Sequence, residues 1–243
     1  MHLTADAILL SVRAHGEHGA VARALTREDG VRPGYVRGGH ARGLRPVLQP
    51  GNLIRGEWRA RTEEQLAALT CELVHTRAAL HESALPAAGL DWLTALTAAA
   101  LPEAQPYPYL YDALGGVLDA IEAAPSARGW AAAMARYELL LLAELGFGLD
   151  LTACIATGDT DDLAFVSPKS GAAVSRAAAA GYEARLFALP TFLRDGGAAD
   201  GAQVLEALTI TGHFLARDVL HERRRDPLPA RARLVERLKR AVA

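Results

Sequence analysis

The spacing of apolar residues changes from two to nearly four at about residue 80. That switch confines the chain to a β-rich first third followed by a helical remainder. Before it, Ile8, Leu10 and Val12 alternate with Leu9, Ser11 and Arg13. Between Leu53 and Arg61, residues Ile54, Trp58 and Ala60 share one side, and Arg55, Glu57, Arg59 and Arg61 the other. Leu69, Cys71 and Leu73 alternate with Thr70, Glu72 and Val74. Period-two spacing marks half-buried strands. Asp29-Gly30 supplies a hairpin turn between strands near 20–27 and 31–37, because glycine accepts a positive φ. A longer connection, Gly38 to Asn52, follows the third strand. Gly38-Gly39, Pro46 and Pro50 predict a turn or a short helix within it. Five strands with one long insert fit an OB-type barrel over residues 1–80, and an SH3-like barrel shares the pattern.

After the switch, Trp130, Met134, Tyr137, Leu141 and Leu145 form one helical stripe, ended by Gly146 and Gly148. Leu205, Leu208, Gly212, Leu215 and Val219 form another. Further helices are predicted at Leu85–Leu101, Pro108–Ala123 and Pro229–Val242. The stretch Cys154–Gly171 is rich in glycine, aspartate and serine and reads as a structured excursion between helices, around 154–175. The expected class is α+β, with a five-stranded OB-type barrel followed by a mainly α-helical domain over 81–243.

Charge narrows the function. Ten arginines and no lysine fall between Arg13 and Arg61, against four acids, a balance of +6 in a chain of net charge −2. Residues 1–80 carry +3, residues 81–216 carry −10 and residues 217–243 carry +5. The planar guanidinium fork suits repeated contacts to phosphate oxygens. A solvated face and an anion-binding face both fit this balance. Two cysteines are too few for a disulfide framework, and no apolar run reaches the length of a membrane span. The short run Ala5–Val12, followed by Arg13, His15 and Glu17, is unlike a secretory leader. A soluble, cytoplasmic protein is expected. No phosphate-binding loop, nucleophile elbow or Ser/His/Asp order stands out, so an enzyme is not expected. His15 with His18, and His213 with His221, lack metal-ligand spacing, and Asp159, Asp161 and Asp162 lack the frame of a calcium loop.

Three stretches, taken together, resemble the bacterial recombination mediator family RecO. They are LTREDG with VRGGHARGLRPVLQPGN and WRAR, then YELLLLAELGFGLDLTACIATG, then FVSPKSGAAVS with the C-terminal third. The resemblance implies an N-terminal OB barrel and a helical domain. It also implies binding to single- and double-stranded DNA and annealing of complementary strands. Its implied partners are RecR and the acidic tail of single-stranded DNA-binding protein, with a role in loading RecA. Many members carry a four-cysteine zinc knuckle. Its positions correspond here to Cys154, Thr157, Ser175 and Ala178. One thiolate cannot hold a tetrahedral zinc, so no metal or other cofactor is expected, and Asp159, Thr160, Asp161 or Asp162 would brace the loop.

The expected DNA-binding residues are Arg32, Arg37, His40, Arg42 and Arg45, with Arg55, Arg59 and Arg61 on the outward side of one strand. Tyr35 and His40 are candidates to stack on bases, and a core role fits Tyr35 equally. A second basic cluster, Arg223, Arg224 and Arg225 with Arg231, Arg233, Arg237, Lys239 and Arg240, would extend the DNA track or receive the acidic tail, and a solvated basic terminus fits it equally.

Overall fold

A computed structural model describes residues 1–62, 64–123, 126–221 and 227–242. The chain packs as two compact units, 1–123 and 124–243.

The first unit is built on a closed barrel of β1 (His2–His15), β2 (Gly19–Thr26), β3 (Gly30–Val36), β4 (Leu53–Arg59) and β5 (Ala67–His75), in the order β1-β2-β3-β5-β4. The long β1 pairs with β4 through His2–Ile8 and with β2 through Ala7–His15, and a bulge between Leu9 and Ser11 bends it from one partner to the other. A parallel step, Gly34 against Ala67 and Tyr35 against Ala68, closes the barrel. This parallel closure between β3 and β5 identifies the OB type and sets aside the SH3-like alternative. The hairpin turn forms as expected, with Gly30 at a φ of 69°.

Trp58 organises the interior. Its indole is fully buried between two glycines. A Cβ on Gly56 would stand 2.4 Å from the ring, and one on Gly34 would stand 2.9 Å from the indole nitrogen. Ala7, Ala22, Ala24 and Ala67 line the same interior and leave room for this one large side chain. The connection after β3 is a run of turns rather than a regular helix, and Leu44, Val47 and Leu48 pack from it against the barrel core.

Ala7 to Leu10 are buried on both faces of β1, because α1 (Ala84–Ala100) packs on β1 and α2 (Pro108–Ala123) packs on β2. Arg77 fastens this arrangement. It is 5% exposed, donates through Nε to the Gly51 carbonyl at 3.1 Å, and pairs with Glu122 at 2.8 Å and Asp119 at 2.5 Å on α2.

The second unit holds α3 (Ala127–Glu144), α4 (Thr191–Asp195), α5 (Gly201–Phe214) and α6 (Leu228–Val242) around a small sheet. The sheet runs β7-β6-β8, from β6 (Leu163–Val166), β7 (Ala173–Ser175) and β8 (Phe187–Ala188). Trp130, Met134, Tyr137 and Leu141 are buried along α3, as their spacing predicts. Asp200 and Gln203 form a capping box at the start of α5. A wide π-type turn at Leu215–Val219 ends the stripe that the sequence shows as one continuous helix.

Candidate nucleic-acid interface

The alternation of the barrel strands decides which side chains reach solvent. Ala22, Val36 and Leu69 point into the core, so Val21, Tyr35 and Ala68 point outward. Pairing places Arg13, Val21, Tyr35 and Ala68 in one outward row across β1, β2, β3 and β5. Tyr35 is therefore a half-exposed surface residue and not part of the core.

The ten arginines between Arg13 and Arg61 divide into two groups of five. Five are engaged by carboxylates. Arg23 meets Glu103 at 3.2 Å, Arg27 meets Asp112 at 3.0 Å and Glu28 at 2.6 Å, and Arg32 meets Asp29 at 3.7 Å. On the outward side of β4, Arg55 meets Asp6 at 2.6 Å and Arg59 meets Glu57 at 2.6 Å, with His2 also 2.6 Å from Glu57. Arg59 and His2 hold the Glu57 carboxyl below its ordinary range. A phosphate approaching this strip meets the negative charge of a carboxylate beside each guanidinium.

Among the described residues, Arg13, Arg37, Arg42, Arg45 and Arg61 have no carboxylate partner, and all five are exposed. Arg37 is exposed in the turn that directly follows β3. The chain beyond it is drawn against β2, where a Cβ on Gly39 would stand 2.6 Å from that of Ala20. Arg42 and Arg45 lie on the solvent side of the turn run that Leu44 and Leu48 anchor, beside the exposed His40, whose carbonyl accepts from Arg45 Nε at 3.3 Å. Arg61 sits in the β4–β5 loop. Of the candidates read from sequence, Arg37, His40, Arg42, Arg45 and Arg61 stand open to a ligand, while Arg32, Arg55 and Arg59 are committed to acids. Arg13, outside the expected set, is exposed as well. The bulge between Leu9 and Ser11 turns it outward, since unbroken alternation would set it on the side of Leu9, which packs in the core.

The Recombination protein O N terminal family matches residues 1–77, and the Recombination protein O C terminal family matches residues 83–227. The DNA repair protein RecO of Cereibacter sphaeroides is 46% identical over 237 residues, covering 97% of this chain and 98% of that one. The same-named proteins of Rhodospirillum centenum and Paracoccus denitrificans are 45% and 44% identical, covering 99% and 98% of this chain and 96% of each of theirs. The chain belongs to the RecO family.

Against the RecO background, the four knuckle positions do converge. Cys154 is buried, and its sulfur accepts from the Ser175 N–H at 3.3 Å. The Ala178 N–H donates to Ser175 Oγ at 3.4 Å, and the Asp159 N–H donates to Thr157 Oγ1 at 3.3 Å. One thiol, two hydroxyls and a methyl do not fit a structural zinc, which takes four sulfur or nitrogen donors. Bracing comes from Asp162, whose carboxylate and carbonyl both meet Arg176, and from the Asp159 carbonyl, which accepts from the Cys154 N–H at 2.7 Å. The Ser175 hydroxyl and N–H, with the Thr157 hydroxyl, hold the Cys154 thiol down to about 6. A depressed acid stabilises the fold when ionised. The contribution is complete above the unfolded thiol's ordinary value near 9 and fades as pH falls toward 6. Urea midpoints of the second unit should therefore rise between pH 6 and 9, and the rise should vanish in Cys154→Ala.

Of the second basic cluster in this RecO chain, Arg223, Arg224 and Arg225 lie outside the described residues. Arg231 is buried, so it cannot serve the surface role expected of it. Lys239 pairs with Glu236 at 2.6 Å. Arg233, Arg237 and Arg240 line a shallow hollow of about 340 Å³ along α6 with Ala232 and Glu236. Among the described residues, no helix is long and apolar enough to cross a membrane, and no three His, Cys, Asp or Glu side chains are placed to hold a metal.

Proposed function

We propose that this RecO-family chain is a non-enzymatic recombination mediator that binds single- and double-stranded DNA and anneals complementary strands. Five exposed barrel arginines, without carboxylate partners among the described residues, carry this reading. Guanidiniums already held by acids gain little from a phosphate, whereas free ones replace water and condensed counterions. Such contacts fix a strand on the surface without reading its sequence. Two strands gripped on one cationic surface lose much of their mutual repulsion, and base pairing then drives annealing with no nucleotide hydrolysis. Family membership supports partnership with RecR, docking of the acidic tail of single-stranded DNA-binding protein, and help in loading RecA on DNA coated by that protein. The arginine-lined hollow on α6 is the surface of the second unit best suited to an acidic tail.

The test uses the purified chain alone, with two complementary labelled oligonucleotides and no nucleotide. Annealing, read by fluorescence quenching, should run about tenfold or more faster than without protein at low salt, as electrostatic attraction allows. Binding to RecR with no acceleration of annealing would instead make the chain a protein adaptor with incidental DNA contact.

A further inference from the structure

At one end of the barrel, the β1–β2 turn, β3 and the β4–β5 loop line an open hollow of about 660 Å³. Its lining includes His15, His18, Tyr35 and Leu66. This volume falls within the roughly 300–1,000 Å³ of sites that hold small ligands. Tyr35 points outward from β3, and its ring lies so close to the backbone of Gly19 that any Cβ there would stand 2.4 Å from it. The ring is thus fixed from behind by β2. The His15 imidazole stands edge-on to it, with centroids 5.9 Å apart and planes at 77°. Leu66, an apolar side chain, exposes 46% of its surface at the rim.

Cations flank these rings. Arg13 lies two residues before His15 on β1, so period two puts it on that residue's face, and Arg37 lies two residues after Tyr35, in the turn just past the end of β3. Neither has a carboxylate partner among the described residues, and both are exposed. Among the described residues that line the hollow, the one carboxylate is Glu17, which is 94% exposed and lies 3.9 Å from His18. An aromatic floor with an apolar rim between two free guanidiniums matches a flat heteroaromatic ring carried on a phosphate backbone.

We infer that this hollow takes one unpaired base of a single strand, stacked on Tyr35, while Arg13 and Arg37 hold the phosphates on either side of it. The inference rests on the DNA-binding reading above and adds a specific consequence. A base inside a duplex is already stacked and cannot enter, so the hollow favours single strands where the arginines alone do not. Stacking of this kind tolerates any sequence, because every base has a π-face.

The test compares three labelled probes on the full chain: a thymidine oligonucleotide, the same-length abasic strand and a duplex. The intact strand should bind about tenfold or more tighter than the abasic one at equal salt. Tyr35→Ala should erase that difference, and Tyr35→Phe should keep it, with abasic and duplex binding unchanged in both. Equal binding of intact and abasic strands by the unaltered protein overturns the base site while leaving the phosphate grip standing. Absence of binding to all three probes at low salt removes the phosphate grip itself. A Tyr35→Ala protein that still discriminates assigns the base to another surface and also overturns the inference.

Discussion

Arg231→Ala lowers the stability of the second unit by about 3–5 kcal/mol, the expected cost of leaving a buried charge without its partner. Arg231 on α6 is 8% exposed and Glu138 on α3 is fully buried. The guanidinium meets Glu138 with two bonds, Nε to Oε1 at 2.9 Å and Nη2 to Oε2 at 2.6 Å. It also donates to the Leu208 carbonyl at 2.7 Å, and the Thr211 hydroxyl donates to the same carboxylate. Room for this fork comes from Gly212 on α5, where a Cβ would stand 2.3 Å from the guanidinium. One ion pair thereby joins α3, α5 and α6. Removing the cation strands a carboxylate in an apolar interior. Removing both charges does not, so the double variant Glu138→Leu with Arg231→Met should recover most of the loss. Urea unfolding followed by far-ultraviolet circular dichroism reads both. A loss below about 1 kcal/mol for Arg231→Ala would mean that water reaches Glu138 and the pair is no structural tie.

Local chemistry was legible in the sequence. The alternation from Leu53 to Arg59 placed Ile54 and Trp58 inside and three charged residues outside, and that is where they stand. Asp29-Gly30 made its hairpin, and the α3 stripe is buried from Trp130 to Leu141. The pattern on β5 faded where packing ran out, since Leu73 remains 39% exposed beyond the barrel core. Pairing at long range was not legible. Arg55 finds Asp6 from 49 residues away, Arg27 finds Asp112 from 85 and Arg231 finds Glu138 from 93. No spacing rule connects residues so distant, so a basic window of ten arginines could not be divided in advance into free and engaged groups. The knuckle geometry was legible only through its resemblance to a family, because Thr157, Ser175 and Ala178 carry no metal chemistry of their own.

That division of the arginines leads to the second large effect. Arg37→Ala, Arg42→Ala and Arg45→Ala together remove three cations that have no carboxylate partner among the described residues. Each phosphate contact on a single strand contributes about 0.7 to the slope of log affinity against log salt. The triple variant should therefore lose about two units of slope and bind much more weakly at low salt. Its fold should be unaffected, because all three side chains are exposed and none anchors the core.

The decisive comparison sets this variant against one that deletes engaged arginines with their acids, Asp6→Ala, Arg55→Ala, Glu57→Ala and Arg59→Ala, which leaves the net charge of the barrel unchanged. Both are titrated with the same single-stranded oligonucleotide across a range of salt. The account predicts a slope smaller by about two units for the first variant and a slope within about half a unit of the unaltered protein for the second. An unchanged slope in the first, or an equal loss in both, would contradict the claim that the free guanidiniums of the barrel are what grips the strand.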